Sequence, residues 1–276
     1  YSDFDKFDEK GRRFDPSFWP DWSPHTLTAQ MYTTHVTCYR RDVVESLGGL
    51  AKGTEGAQDW DLVMRYVTRG NWEVLHIPKI LYHWRVYPGS TALANSGAKD
   101  WAYENQRSVL ERYLKRRKMK GEVLEGPFAG SWRVKFDIVG NPKVSIVIPT
   151  KDKVDYLKRA IESIWEHTTY SNYEIVVVDN RSEEEETERY LEDIKKRGVK
   201  VWKYDNPFHF GKLYNWVATK IDGEYMLVLN NDIKVLNDGW LESMLEWCQL
   251  PEVGSVGARL YYPDGRIQHA GVIVGA

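Results

Sequence analysis

Two aspartates separated by one residue, Asp3 and Asp5, lie at the start of the chain. An Asp-x-Asp at the end of a strand puts two carboxylates within reach of one hard cation. A cation held in this way neutralises the charge of a diphosphate. An acidic N-terminal tail would contain the same residues, and Asp8 is nearby, so the motif alone is weak evidence for a metal site.

A second acidic pair, Asp59 and Asp61, lies in the segment EGAQDWDL, residues 55–62, at the start of a predicted helix. Capping of the helix N-terminus is the ordinary role of such acids and accounts for one of them. The other could take the proton of an attacking hydroxyl as a general base. Further along, His76 and His83 could complete a metal site at a strand end, although a single histidine is more often packed or hydrogen-bonded.

The composition is typical of a globular protein. The 276 residues are 42% hydrophobic, enough to bury a core in one large α/β domain or two small ones. The net charge of −2 gives no electrostatic footprint for nucleic acid, and the basic run KRRK at residues 115–118 is interpreted as a solvated helix end. No apolar run approaches the roughly 20 residues of a membrane-spanning helix, and no signal peptide is recognisable.

Cysteine and aromatic content add two expectations. Cys38 and Cys248 have no paired spacing, so they form no zinc site by themselves, and a reducing cytoplasm is the simplest compartment. The chain has 12 Trp and 17 Tyr, whose rings fill cores as well as stacking on sugars, so they are weak support for a carbohydrate ligand.

The second half of the chain alternates apolar runs with amphipathic segments. Strands are predicted at residues 144–148, 174–178, 199–204 and 225–229. Helices between them are predicted around residues 157–165, 190–194 and 211–221. Strands that alternate with helices indicate a parallel sheet with right-handed crossovers.

Polar residues follow these predicted strands. Ligands of parallel α/β sheets bind beyond the carboxyl ends of the strands. We therefore expect one ligand crevice formed by the residues at those ends, namely Thr150, Asp179, Asn180, Asp205 and Asp232.

The first half is less regular. Helices are predicted at residues 40–47, 57–69 and 101–117, and extended segments at 72–76 and 79–83. Glycines and prolines between residues 118 and 143 indicate a connector, and a domain boundary is predicted near residue 140.

Three segments of the second half carry a resemblance to a known family. VSIVIPT at 144–150, YEIVVVDNRS at 173–182 and LNND at 229–232 resemble the nucleotide-binding half of inverting family 2 glycosyltransferases with the GT-A fold. The resemblance is greatest to bacterial enzymes that build O-antigen and related surface polysaccharides, often as tandem transferase domains. In the first half, residues 3–5, 19–24, 58–61 and 76–85 resemble, in order, the metal motif, a loop, the acceptor-side acidic motif and the following histidine segment of the same kind of domain.

The resemblance implies an α/β fold of the GT-A, Rossmann-like type, with a mostly parallel sheet flanked by helices. Residues 1–140 would be the metal- and acceptor-side half of a transferase, and residues 141–276 the nucleotide-binding half. A complete domain has these halves in the opposite order. Two explanations stay open: the halves complete one permuted site, within one chain or in an intertwined homodimer, or the 276 residues are an excerpt of a longer tandem polypeptide.

The resemblance also implies roles for individual residues. Asp59 would be the catalytic base, with Asp61 as the alternative. A divalent cation, Mn²⁺ or Mg²⁺, would be bound by Asp3, Asp5, His83 and Asp232. The nucleotide sugar would be bound by Pro149, Thr150, Asp179, Asn180, Asp205, Lys212 and Asn231. Two departures from the family are Gln58, where many relatives have Glu, and Asn230-Asn231-Asp232, which leaves one carboxylate where two are usual.

The activity implied is transfer of a sugar, with inversion, from a nucleotide-diphosphate-sugar donor to a saccharide or lipid-linked saccharide acceptor. It would serve surface polysaccharide synthesis in the cytoplasm, or peripherally at the inner membrane face, without a membrane span or nucleic acid. One alternative is a non-catalytic nucleotide- or saccharide-binding module, favoured by Asn230. A nucleotidyltransferase is the other, disfavoured because no Gly-rich loop followed by Lys is found.

Overall fold

A computed structural model of the chain describes residues 1–70, 72–87 and 100–271. These residues form two compact units. The first unit contains residues up to Asp137 and the described residues from Ala258 onward, and the second runs from Ile138 to Gly257. Among the described helices, none is both long and apolar enough to cross a bilayer.

The second unit is built on a four-stranded parallel sheet in the order β8-β7-β6-β9. Its strands are β6 (Val144–Thr150), β7 (Tyr173–Asp179), β8 (Lys200–Lys203) and β9 (Tyr225–Val228). Its helices are α5 (Val154–His167), α6 (Glu185–Lys196), α7 (Phe210–Ala218) and α8 (Trp240–Cys248). The strands and helices predicted for this half are confirmed, and α8 is an addition.

Both faces of this sheet are covered, which explains the continuous apolar runs of β6 and β7. Because neighbouring residues of a strand point to opposite faces, Ile146 and Ile148 pack with α5, α6 and α8 on one side. Val147 and Val176 pack on the other side against α7, chiefly against Leu213. The strands are therefore fixed in register, and the polar residues after them emerge together at one edge.

The first unit contains a three-stranded sheet in the order β2-β1-β3. Its strands are β1 (Ser2–Phe7), β2 (Arg13–Ser17) and β3 (Ile77–Arg85). The central strand β1 runs antiparallel to β2 and parallel to β3. Asp3 and Asp5 lie within β1, whereas the motif was expected at a strand end. Residues 72–76, predicted to be extended, belong to no strand, and β3 begins after them.

The helices that the structure describes in the first unit are α1 (Pro24–Ala29), α2 (Arg41–Ser46), α3 (Gln58–Arg69) and α4 (Asp100–Arg117). Three of these four, α2 to α4, were predicted from the sequence, and α1 was not. Helix α3 is strongly amphipathic and buries Trp60, whose indole N–H donates to the carbonyl of Leu27 at 2.9 Å. This contact joins α3 to α1 and fixes the start of α3, where Asp59 and Asp61 lie.

The connector predicted for residues 118–143 is wrong over much of its length, because the segment contains a β-hairpin. Strands β4 (Gly121–Glu125) and β5 (Trp132–Phe136) pair antiparallel, with Gly121 opposite Phe136. Alternate residues of β5 are buried, so the hairpin is part of the core of the first unit. A second short hairpin joins β10 (Leu260–Tyr261) to β11 (Ile267–His269).

Candidate functional site

In the first unit, Asp3 is a buried carboxylate with a relative exposure of 3%. Its Oδ1 accepts two hydrogen bonds, from the backbone N–H of Trp19 at 3.1 Å and from His76 Nε2 at 3.0 Å. The other ring nitrogen of His76 lies 3.2 Å from Oδ1 of Asp21. The imidazole of His76 therefore bridges one buried carboxylate and one at the surface.

Asp5 is equally buried but has a different environment. Its Oδ1 contacts His83 Nδ1, and its Oδ2 accepts from Arg13 Nε, each at 2.5 Å. Burial alone would raise the pKa of Asp5, but hydrogen bonds and charge from His83 and Arg13 outweigh it and lower that pKa. Asp5 is thus held as an anion with both oxygens occupied.

Asp3, Asp5 and the neighbouring histidines fit a divalent cation only in part. Over residues 1–70, 72–87 and 100–271, no three His, Cys, Asp or Glu side chains are arranged to hold a metal ion. The chemistry of the donor set still fits one, because buried carboxylates of β1 lie beside imidazoles of the β3 side. No described residue donates to Oδ2 of Asp3, and this atom is not among the fully enclosed side-chain atoms that lack a partner, so it keeps access for a cation or water. Asp5 would have to exchange Arg13 or His83 for the cation.

The two acids of α3 have unequal surroundings. Asp61 is buried, with its Oδ2 paired to Arg65 Nε at 2.7 Å, and the guanidinium of Arg65 also donates to the carbonyls of Leu47 and Gly49. Asp61 therefore has a structural partner. Asp59 is half-buried, and among the described residues its Oδ1 accepts only from the adjacent Trp60 N–H.

Asp59 also influences a neighbouring phenol. Burial and then the charge of Asp59 raise the pKa of Tyr39 to about 12. The ring of Tyr39 packs against Tyr66, with 5.5 Å between centroids, and Tyr66 packs against Trp72 at 6.0 Å. Asp59 is therefore near an aromatic row and, unlike Asp61, has no cationic partner among the described residues.

In the second unit, the structure brings together four residues predicted to bind the nucleotide. Asn231 Nδ2 donates to Thr150 Oγ1 at 3.0 Å, and the Asn180 backbone N–H donates to the Thr150 carbonyl at 2.8 Å. Asp179 Oδ1 accepts from the Ser182 N–H at 3.0 Å. All lie where β6, β7 and β9 end, as the parallel sheet requires.

Asn180 additionally fixes the segment that follows β8. Its side-chain amide donates to the carbonyls of Tyr204 and Asn206, each at 2.8 Å. Asp205 is exposed between these two, and its carbonyl accepts from Arg181. The edge of the sheet is thus held by side-chain-to-backbone hydrogen bonds across three strand ends.

The remaining predicted residues are less connected to this cluster. Pro149 is half-buried in β6, Lys212 is exposed in the first turn of α7, and Asp232 is exposed in the turn after β9. No hydrogen bond among the described residues joins Lys212 or Asp232 side chains to Thr150. Their roles remain predictions.

Sequence reasoning missed Asp152 as an organising residue. Its Oδ1 accepts from the backbone N–H groups of Glu183 and Glu184 at 2.7 and 2.9 Å. These bonds, led by that from Glu184, lower the pKa of Asp152 despite partial burial. Its own N–H donates to Ser182 Oγ at 2.9 Å. An Asp two residues beyond a strand, in a chain segment that must turn, was the available signal.

Comparison with known proteins agrees with this geometry. Residues 145–270 match the family described as "Glycosyl transferase family 2". The chain is 41% identical over 279 residues to the uncharacterized protein y4gI of Sinorhizobium fredii, covering all of this chain and 31% of that protein. It is 39% identical over 277 residues to the O-antigen biosynthesis protein RfbC of Myxococcus xanthus, covering all of this chain and 21% of that protein. The chain therefore spans about a third or less of the length of these relatives.

Solved structures give a weaker comparison. The mannosyltransferase PcManGT from Pyrobaculum calidifontis, in complex with GDP-Man and Mn²⁺, is 18% identical, with 54% of this chain and 42% of that chain covered. Its TM-score is 0.37, too low a likeness to support an inference.

The family match and the parallel sheet both fall in the second half of the chain. The fold is α/β of the GT-A-like type, with helices on both faces of the sheet, as the sequence predicted. Residues 145–270, slightly less than half of the chain, are similar to family 2 glycosyl transferases.

Proposed function

We propose that the chain is an inverting glycosyltransferase that moves a sugar from a nucleotide-diphosphate-sugar donor to a saccharide acceptor in surface polysaccharide synthesis. The observation that carries the proposal is the cluster of Thr150, Asn180 and Asn231 at the strand ends of a segment that matches family 2 glycosyltransferases. The relative named for O-antigen biosynthesis supports the polysaccharide context.

The donor nucleotide is assigned to the sheet edge of the second unit. Asp179 and Thr150 are buried there, and each accepts a hydrogen bond that fixes its orientation. Pro149, Asn180, Asp205, Lys212 and Asn231 complete the proposed nucleotide-binding set. Oriented polar groups of this kind bind a ligand with little ordering cost because they are already in place.

Asp59 is proposed as the general base. Its carboxylate has no cationic partner among the described residues, whereas Asp61 is committed to Arg65. It would accept the proton of the acceptor hydroxyl while that oxygen attacks the anomeric carbon and the nucleoside diphosphate leaves. A positioned base of this kind contributes about 10²- to 10⁴-fold.

A divalent cation is proposed at Asp3, Asp5 and His83 of the first unit. When bound, such a cation supplies charge neutralisation for the departing diphosphate. The protein contributes buried anionic oxygens at Asp3 and Asp5, oriented by hydrogen bonds from their neighbours.

Titration calorimetry tests the donor assignment. UDP, GDP and CDP are titrated into the chain with and without Mn²⁺, and into Asp179→Asn, which keeps an oxygen for the Ser182 N–H. The exposed Asp193→Asn on α6 is the matched control. We expect one nucleoside diphosphate to bind to the wild type and the control and to bind weakly to Asp179→Asn. Binding of none of the three to the wild type would contradict the assignment.

Transfer is tested separately with Asp59→Asn. We expect loss of sugar transfer, measured as release of the nucleoside diphosphate in the presence of acceptor, with donor binding retained. Lost donor binding would show that the role of Asp59 is misassigned.

A non-catalytic saccharide- or nucleotide-binding module is the second candidate. It is favoured by Asn230 in place of a carboxylate and by the lack of a three-donor metal group within the described residues. Mn²⁺-dependent release of nucleoside diphosphate from a donor sugar, without added acceptor, would exclude this candidate.

A further inference from the structure

His76 is the most firmly held polar side chain beside the Asp3 carboxylate. Its side chain is only 5% exposed, and each ring nitrogen faces a carboxylate oxygen. The ring also lies nearly parallel to that of Tyr1, with 4.8 Å between centroids and 14° between planes. The Tyr1 hydroxyl donates to the carbonyl of Pro20 at 2.5 Å, so the stacking surface is itself anchored.

This arrangement makes the two oxygens of Asp3 different. Oδ1 accepts from His76 and from the Trp19 backbone, 16 residues from Asp3 along the chain. Oδ2 has no donor in the part of the chain that the structure describes. Turning the carboxylate by a quarter turn about its Cβ–Cγ bond would break both bonds, whereas a half turn only exchanges two equivalent oxygens, so the group is held with one oxygen, Oδ2, presented.

Asp5 offers a contrast on the same strand. Both of its oxygens are taken, one by His83 and one by Arg13. Asp5 must therefore exchange a partner before it can bind a cation, whereas Asp3 already has one oxygen open. The difference arises from which side chains β2 and β3 place beside each acid.

We propose that His76 is a positioning residue, clamped by Asp21 and Tyr1, which fixes Oδ1 of Asp3 so that Oδ2 is presented to a divalent cation. The inference rests on the proposed function, because it deepens the cation site assigned to Asp3. His76 acts through Asp3 and does not contact the cation. Asp21, whose side chain is 59% exposed, contacts the other ring nitrogen of His76 from the protein surface.

The consequence is a graded loss of cation affinity. Groups that orient a metal-ligating side chain typically account for about 10- to 100-fold in affinity. His76→Phe keeps a ring to stack on Tyr1 but loses both ring nitrogens, so it should weaken Mn²⁺ binding by about that factor. His76→Gln restores one amide N–H for Asp3 and should recover part of the affinity. Asp21→Ala, at the surface, should weaken binding in the same direction by a smaller factor.

Titration calorimetry with Mn²⁺ alone, and with Mn²⁺ plus UDP, measures these affinities on the whole chain. The control is His167→Gln, because His167 forms a similar pair with Asp238 at 2.9 Å on the second unit. We expect wild-type affinity in the control and the order wild type, His76→Gln, His76→Phe from tightest to weakest.

A double-mutant cycle with Asp3→Asn distinguishes positioning from a general structural effect. If His76 acts through Asp3, His76→Phe has no further effect on Mn²⁺ affinity in the Asp3→Asn background. An equal loss of Mn²⁺ affinity in both backgrounds would overturn the inference. Unchanged affinity in His76→Phe and Asp21→Ala, while the wild type binds Mn²⁺, would also overturn it. Either result would leave the proposed function standing. No Mn²⁺ binding to the wild type would overturn both the cation assignment and this inference.

Discussion

Asp59 and Asp61 are two residues apart, and replacing each by alanine should have very unequal effects on stability. The Asp61 side chain is 1% exposed and its partner Arg65 is 14% exposed. Removing one member of such a pair leaves a buried charge without compensation, which costs about 3 to 5 kcal/mol. The Asp59 carboxylate accepts only from the next backbone N–H, so its removal should cost no more than about 0.5 kcal/mol.

Hydrogen exchange measured by mass spectrometry is the suitable assay, because a chain of two compact units has no single unfolding midpoint. A loss of about 3 to 5 kcal/mol accelerates exchange of amides that open with α3 by about 10²- to 10⁴-fold. Peptides from β6 and β7 lie in the second unit and provide an internal reference. Asp59→Ala should exchange like the wild type throughout.

A second variant tests the reason for the loss. Replacing both partners, as Asp61→Leu with Arg65→Met, removes the charge together with its counterion and should recover most of the protection. The carbonyls of Leu47 and Gly49 lose their donors in this variant, so recovery is expected to be incomplete. Equal exchange in Asp59→Ala and Asp61→Ala would refute the division of roles between these acids.

Three further predictions concern other parts of the chain. Burial would raise the pKa of Glu174, but Lys143 and Lys200 outweigh it and lower that pKa. The stabilisation from this ion pair is therefore present above the unfolded-state pKa of about 4.3 and lost as pH falls through the lower folded-state pKa. Between about pH 5 and pH 3, the urea midpoint of the second unit should fall less steeply in Glu174→Gln than in the wild type. Asn180→Ala removes the donor to the carbonyls of Tyr204 and Asn206 and should lower the free energy of unfolding in urea by about 1 to 3 kcal/mol. It should also weaken nucleotide binding measured by calorimetry. Wild-type stability together with wild-type binding would contradict the role of Asn180. Gly121→Ala places a Cβ in steric overlap with the Lys135 carbonyl oxygen and should destabilise the first unit by about 1 to 3 kcal/mol, measured by urea unfolding. Unchanged stability would show that the hairpin shifts to make room for the methyl group.

The second unit could be predicted from sequence because its signals are local. Runs such as residues 144–148 are apolar throughout, since both faces of a parallel strand are buried. Asn180 and Asn231 follow strands directly, and topology alone brings the ends of parallel strands to one edge. What could not be predicted is the hydrogen-bond pattern there, such as Asn180 holding the segment after β8.

The hairpin of residues 121–136 was missed for a definable reason. Its glycines and prolines are strong turn signals, and they mark the turn and the edges of the hairpin rather than a linker. The alternation in WRVKF, residues 132–136, with Trp132, Val134 and Phe136 buried, was the opposing signal. Five residues of period-two alternation are too few to outweigh the turn residues around them.

The candidate metal region shows where sequence reasoning ends. Asp3 and Asp5 have the same residue type, the same strand and the same burial, and the spacing alone treats them as equivalent. Their difference comes from contacts 73 and 78 residues away in sequence, with His76 and His83, and from Arg13 on β2. Which acid presents an open oxygen is decided by the residues that β2, β3 and the segments adjoining them place beside β1. Whether an aspartate of this motif can bind a cation therefore depends on whether one of its carboxylate oxygens lacks another partner. The surroundings of β1 decide this, and the Asp-x-Asp spacing does not.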